Sequence, residues 1–135
     1  MAERRLLRDS QGMEAKELRV LVVEDHRDTA ESLRRLLALC GCQVVIAGSV
    51  QEGLTAARRI QPHIVLCDIG LPDSDGYVVA SVLRQTGATR GARLVAVTAH
   101  GGPHNRRRAL AAGFDSHLVK PVDPKVLLGE LETAL

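Results

Sequence analysis

The sequence predicts an α/β domain built on a doubly wound, five-stranded parallel sheet. Three observations carry this. Five short aliphatic runs alternate with five segments of helical pattern, the boundaries between them hold helix-capping residues, and the 135 residues include one Phe, one Tyr and no Trp. A core made of Val, Leu, Ile and Ala suits strands buried on both faces better than it suits an aromatic-rich sandwich. Alternating strands and helices joined by right-handed crossovers imply a parallel sheet covered by helices on both sides. The length fits one domain, and 45% hydrophobic residues are enough for its core.

Residues 1–17 are charge-rich, lack a clear period and contain Ser10-Gln11-Gly12, so they read as a tail or short leading helix outside a domain spanning 18–135. The first strand is expected over 18–23 and its helix over 29–39, with Asp28 and Glu31 at capping-box spacing. A second strand over 43–47 leads to a helix over 50–60, where Ser49 and Glu52 repeat that spacing. The third pair covers 64–67 and 76–85, and the fourth 94–97 and 105–112. The fifth covers 116–119 and 125–135, and Asp123-Pro124 places an N-cap before a first-turn proline. Gly41, Gly87 and Gly113 each stand where a helical pattern stops, as C-cap glycines do.

A net charge of +2 gives no electrostatic reason to expect nucleic acid as an obligatory partner. Cys40, Cys42 and Cys67 cannot all pair and show no C-x-x-C spacing, so a reduced, cytoplasmic protein with buried thiols is expected. No apolar run reaches the length of a membrane span, and Arg4, Arg5 and Arg8 are not followed by the apolar stretch of a signal peptide.

Parallel strands all end on the same side of their sheet, and sites in such folds lie beyond those carboxyl ends. At the ends of strands one, three, four and five stand Glu24-Asp25, Asp68, Thr98 and Lys120. Three carboxylates brought together repel unless a cation or protons compensate. A hard divalent ion answers this, and Mg²⁺ binds through one or two carboxylates, waters and a phosphate. Asp68 then reads as a nucleophile that forms an aspartyl phosphate, with Thr98 and Lys120 facing the phosphoryl oxygens.

From Arg19 to Leu135 the chain resembles the receiver domain of bacterial response regulators. The matching stretches are Val20-Leu21-Val22-Val23-Glu24-Asp25, the run from Leu66-Cys67-Asp68 through Ile69-Gly70-Leu71-Pro72-Asp73-Ser74-Asp75-Gly76, Val97-Thr98-Ala99, and Gly113-Phe114-Asp115 leading to Lys120-Pro121. The resemblance implies a flavodoxin-like sheet of strand order 2-1-3-4-5, Mg²⁺ dependence, phosphorylation by a histidine kinase or histidine phosphotransfer protein, and slow self-dephosphorylation. It also implies that Asp25 and Asp68 bind the metal, Glu24 acts on it through water, and the Gly70 carbonyl completes the shell. Lys120 precedes Pro121, where a cis peptide is accessible. His117 stands where the family usually carries a switching Tyr or Phe. His100, two residues past Thr98, and Gly70, two past Asp68, flank the path of a hydrolytic water.

Each residue also has a plainer reading. Asp68 alone is an ordinary strand-terminal acid, Asp28 a helix cap, and Arg106-Arg107-Arg108 a solvated helix face. Pro72 and Gly76 read as loop geometry. A phosphatase of the haloacid-dehalogenase type shares the residue classes, but its nucleophile follows the first strand. A receiver-like interaction module that is never phosphorylated is the other alternative. The domain is expected to be a stand-alone receiver or part of a larger protein such as a hybrid sensor kinase, with an unidentified downstream protein as its target.

Overall fold

The computed structural model describes residues 18–70, 77–87 and 89–135. The leading segment 1–17 and the loop 71–76, with Pro72 and Gly76, lie outside the described residues. Strands β1 (Arg19–Val23), β2 (Gln43–Ala47), β3 (Ile64–Asp68), β4 (Arg93–Thr98) and β5 (Ser116–Val119) alternate with helices α1 (Arg27–Leu39), α2 (Val50–Ile60), α3 (Tyr77–Gln85), α4 (Pro103–Ala112) and α5 (Pro124–Ala134). All five strands are parallel, in the order β2-β1-β3-β4-β5.

The aliphatic runs are continuous because the inner strands are buried on both faces, and their side chains alternate between two cores. Leu21, Val23, Val65, Cys67, Leu94 and Ala96 pack with Val50 and Ala57 of α2, Val79, Ala80 and Leu83 of α3, and Ala109 of α4. Val20, Val22, Ile64, Leu66, Val95 and Val97 pack with Leu33 and Leu37 of α1 and Leu127 and Leu131 of α5.

The punctuation is mostly as expected. Ser49 Oγ accepts the Glu52 N–H at 3.1 Å, and Asp123 Oδ1 accepts the Lys125 N–H at 2.8 Å. Gly41 and Gly113 follow their helices with φ of 87° and 114°, a region that costs glycine little.

Two expectations are corrected. Asp28 does not cap α1: the helix begins two residues earlier, with His26 as its N-cap, and Asp28 sits in the first turn near the positive helix end. Glu31 turns instead to Arg34 and Arg35, which hold its carboxyl down at about 2. Gly87 is not a left-handed cap either. Past Gln85 the chain is closed by Thr86 N–H and Thr89 Oγ1, which donate to the Leu83 carbonyl at 3.3 and 2.8 Å.

Candidate functional site

The order of the strands reverses between β1 and β3, which is where a doubly wound sheet opens a crevice. Register then sets the site. Val23 lies opposite Cys67 and Asp68 opposite Val97, so Glu24 emerges beside Asp68, and Thr98, level with Val119, emerges beside Lys120. Backbone bonds extend this alignment past the strands: Glu24 N–H donates to Ala47 O at 2.9 Å and Lys120 N–H to Thr98 O at 2.8 Å.

Glu24, Asp68 and Thr98 are buried, with 3%, 7% and 6% of their surface exposed, while Asp25 stands at the rim. The Lys120 Nζ lies 2.5 Å from Glu24 Oε1 and 3.3 Å from Asp68 Oδ2. Burial opposes its charge, but the two acids more than offset this and hold the ammonium above its ordinary value. Burial also works to raise both carboxyls. In Glu24 burial prevails over the Lys120 hydrogen bond, and the group lies above its usual range. In Asp68 burial is overcome by the Gly70 N–H, which donates to Oδ1 at 2.9 Å, and by Glu24 and Lys120. The Gly70 and Lys120 donors thus favour the ionised form of Asp68.

Thr98 Oγ1 accepts the His100 N–H at 3.1 Å, and Asn105 Nδ2 braces the same loop by donating to Gly101 O at 3.1 Å. The Lys120-Pro121 peptide is cis. A cleft of about 420 Å³ runs past Asp68, Gly70, Thr98, His100 and Lys120 and is also lined by His26, Tyr77 and Arg108. One donor atom each from Glu24, Asp25, His26 and Asp68 lies within 4.8 Å of the others, a carboxylate-rich set that fits a hard divalent cation.

Of the residues marked in the sequence, Glu24, Asp25, Asp68, Gly70, Thr98, His100 and Lys120 converge here. His117 does not. It lines a separate cleft of about 580 Å³ with Pro103, Arg106, Leu110 and Val119. Its Nε2 is buried with no hydrogen-bond partner among the described residues, and burial, then Arg106, holds the ring below its ordinary value.

Two contributors escaped the sequence reading. His26 was legible only as a neighbour of the acid pair, because the later helix start assigned to α1 left it in a loop. Arg108 read as part of a solvated helix face, yet its guanidinium stacks 4.4 Å from the Tyr77 ring centre, a pairing of α3 with α4 that has no local signal.

A doubly wound fold with an acid pair after β1, an acid ending β3, a hydroxyl ending β4 and a lysine after β5 is the arrangement of a receiver-type signalling domain. The chain belongs to the response regulator receiver domain family, whose model matches residues 20–132. It is 33% identical over 109 residues to an uncharacterised 14.6 kDa protein of Leptolyngbya boryana, covering 81% of this chain and 83% of that protein. It is 33% identical over 123 residues to the DNA-binding response regulator MtrA of Mycobacterium tuberculosis, covering 91% of this chain but 53% of MtrA. The chain thus spans about half the length of that curated relative. A receiver domain protein of Methanospirillum hungatei superposes with a TM-score of 0.78 at 29% identity, covering 86% of this chain and 91% of that one. Vibrio cholerae CheY4 shares the fold, with a TM-score of 0.80 at 24% identity over 87% of this chain and 98% of its own. Among the described residues no helix is long and apolar enough to cross a membrane.

Proposed function

We propose that Asp68 is the phosphoacceptor of a two-component signalling switch and that it takes its phosphoryl group from a histidine kinase or histidine phosphotransfer protein. The observation that carries this is the placement of Lys120 Nζ 3.3 Å from Asp68 Oδ2, in a cleft that also presents Thr98. An Asp68 carboxylate oxygen attacks the phosphorus of a phosphohistidine. A P–O bond to Asp68 forms as the P–N bond breaks, and the imidazole leaves with the electron pair.

Glu24, Asp25, Asp68 and the Gly70 carbonyl are the residues that would hold Mg²⁺, which supplies charge neutralisation for the phosphoryl oxygens. The Lys120 ammonium and the Thr98 hydroxyl serve the remaining oxygens as preorganised donors. When Thr98 turns its hydroxyl to a phosphoryl oxygen, its bond to the His100 N–H is disturbed, and the loop between β4 and α4 is free to rearrange. That loop adjoins the cleft around His117, so His117 reads as a modified relay position and His100 as a determinant of phosphoryl lifetime. The free thiols of Cys40, Cys42 and Cys67 support a cytoplasmic setting.

Incubation of the protein with acetyl phosphate and Mg²⁺, followed by intact mass analysis, tests the reading. The expected result is a base-labile gain of one phosphoryl group that is absent in Asp68→Asn. A gain that persists in Asp68→Asn, or no gain in the parent protein, overturns it.

A further inference from the structure

We propose that His26 supplies a nitrogen ligand to the acid cleft and shifts its preference from Mg²⁺ toward borderline divalent cations such as Zn²⁺ and Co²⁺. This inference rests on the metal-binding reading above. His26 Nδ1 lies 3.7 Å from Glu24 Oε2 and 3.7 Å from Asp25 Oδ1. Donors bound at about 2.0–2.2 Å to one ion stand roughly 3.4 Å apart in a tetrahedron and about 4.2 Å apart when opposed, so these spacings already suit a shared ion. The four donors all lie within 4.8 Å of one another, and the two side chains at the rim, Asp25 at 31% exposure and His26 at 74%, have open space in which to approach a common ion.

The backbone of His26 is held on both sides. Its N–H donates to Glu24 Oε2 at 3.2 Å, and its carbonyl, as the N-cap of α1, accepts the Ala30 N–H at 2.9 Å. The ring makes no capping hydrogen bond and leaves this fixed point directly beside the acids. Lys120 takes Glu24 Oε1, which leaves Oε2, the oxygen nearer His26, on the metal side. An exposed ion pair between imidazolium and carboxylate is the alternative role, and such pairs contribute little.

The chemistry of the donor set decides the class of cation. Mg²⁺ demands oxygen ligands and retains waters, whereas imidazole favours Zn²⁺, Ni²⁺ and Co²⁺ over Mg²⁺. Carboxylates joined by one imidazole make a mixed set that oxygen-only cations cannot fully use. His26 thereby becomes a specificity-determining residue for the ion that the phosphoacceptor site carries.

The full chain, stripped of metal and loaded with Mn²⁺, is read by electron paramagnetic resonance, with Mg²⁺ and Zn²⁺ as competitors. Bound Mn²⁺ should show nitrogen hyperfine coupling that is lost in His26→Ala and kept in His100→Ala, the other imidazole lining the cleft. The Zn²⁺ over Mg²⁺ preference should fall at least about tenfold in His26→Ala, since even a residue that only supports a ligand is worth about 10–100-fold in affinity. Mn²⁺ that is displaced by Mg²⁺ but shows no nitrogen coupling, or coupling that survives His26→Ala, overturns the role of His26 and leaves the metal site standing. Absence of any Mg²⁺-displaceable Mn²⁺ binding that depends on Asp25 overturns both.

Discussion

Lys120 holds its ammonium 3.3 Å from Asp68 Oδ2, although their strands, β5 and β3, are separated by β4. The lysine crosses the end of an intervening strand to reach the acid, and on its other side it meets Glu24 Oε1 at 2.5 Å. Lys120→Met removes the cation from two buried carboxylates. Breaking a buried ion pair by deleting one partner costs on the order of 3–5 kcal/mol, and proton uptake by Glu24 will absorb part of this. Urea unfolding should therefore show a loss of roughly 2–4 kcal/mol without divalent cation, and the loss should shrink when Mg²⁺ is present. An unchanged midpoint would separate Lys120 from the carboxylate pair.

Gly53 sits in the middle of α2, where helix propensity alone predicts that Ala gains about 1 kcal/mol. Packing predicts the opposite, because a Cβ there would lie 2.9 Å from Val23 Cγ2 and 3.2 Å from Cγ1. Val23 is fully buried and cannot swing aside, and overpacking costs about 1–3 kcal/mol. Gly53→Ala should lower stability by about 1–2 kcal/mol in urea unfolding, whereas an increase would show that α2 can lift from β1.

Arg84 ties the end of α3 to two other segments. Its guanidinium donates to the carbonyls of Gly113, Arg90 and Ala92 at 3.1, 2.9 and 2.7 Å and to Asp115 Oδ2 at 2.6 Å. Asp115 Oδ2 also accepts the Leu94 N–H at 2.8 Å, so the network reaches β4. Arg84→Met keeps most of the stem but loses these charge-assisted bonds, and a cost of about 1–3 kcal/mol is expected after solvent screening. Hydrogen exchange should speed up in the segment between α3 and β4 before it does so in β1.

His63 and His117 both lie below the ordinary histidine value, each through burial first and then through a neighbouring arginine, Arg19 and Arg106 respectively. Between the lowered folded values and the unfolded value of about 6.5 the unfolded chain binds more protons, so stability is complete above that value and declines as pH falls through it. Glu24, raised by burial, contributes with the opposite sign. Comparing the parent with His117→Phe cancels Glu24 and isolates His117. The variant should lose less of its thermal midpoint between about pH 7 and pH 5, and parallel curves would show that His117 does not titrate in this window.

Much of the fold was legible because its signals are local. The runs at Gln43–Ala47 and Ser116–Val119 and the helix at Val50–Ile60 coincide with the expected bounds, and the Ser49 and Asp123 caps form as their spacing suggests. Asp28 and Gly87 failed for one reason. Each has the composition of a cap, but another nearby side chain bonds the backbone at the boundary, the Glu24 carboxylate at His26 and the Thr89 hydroxyl at Leu83, and neither follows a capping spacing.

That Asp68, Thr98, Lys120 and the Glu24-Asp25 pair meet at one edge of a sheet follows from the order of residues alone, because parallel strands place their carboxyl ends together whatever the side chains do. It took the three-dimensional arrangement to show which of these groups share charge, and that His26 and the Arg108–Tyr77 stack line the cleft while His117 stands apart from it. Those outcomes depend on register, burial and the distance between atoms far apart in the chain, and neither composition nor spacing carries that information.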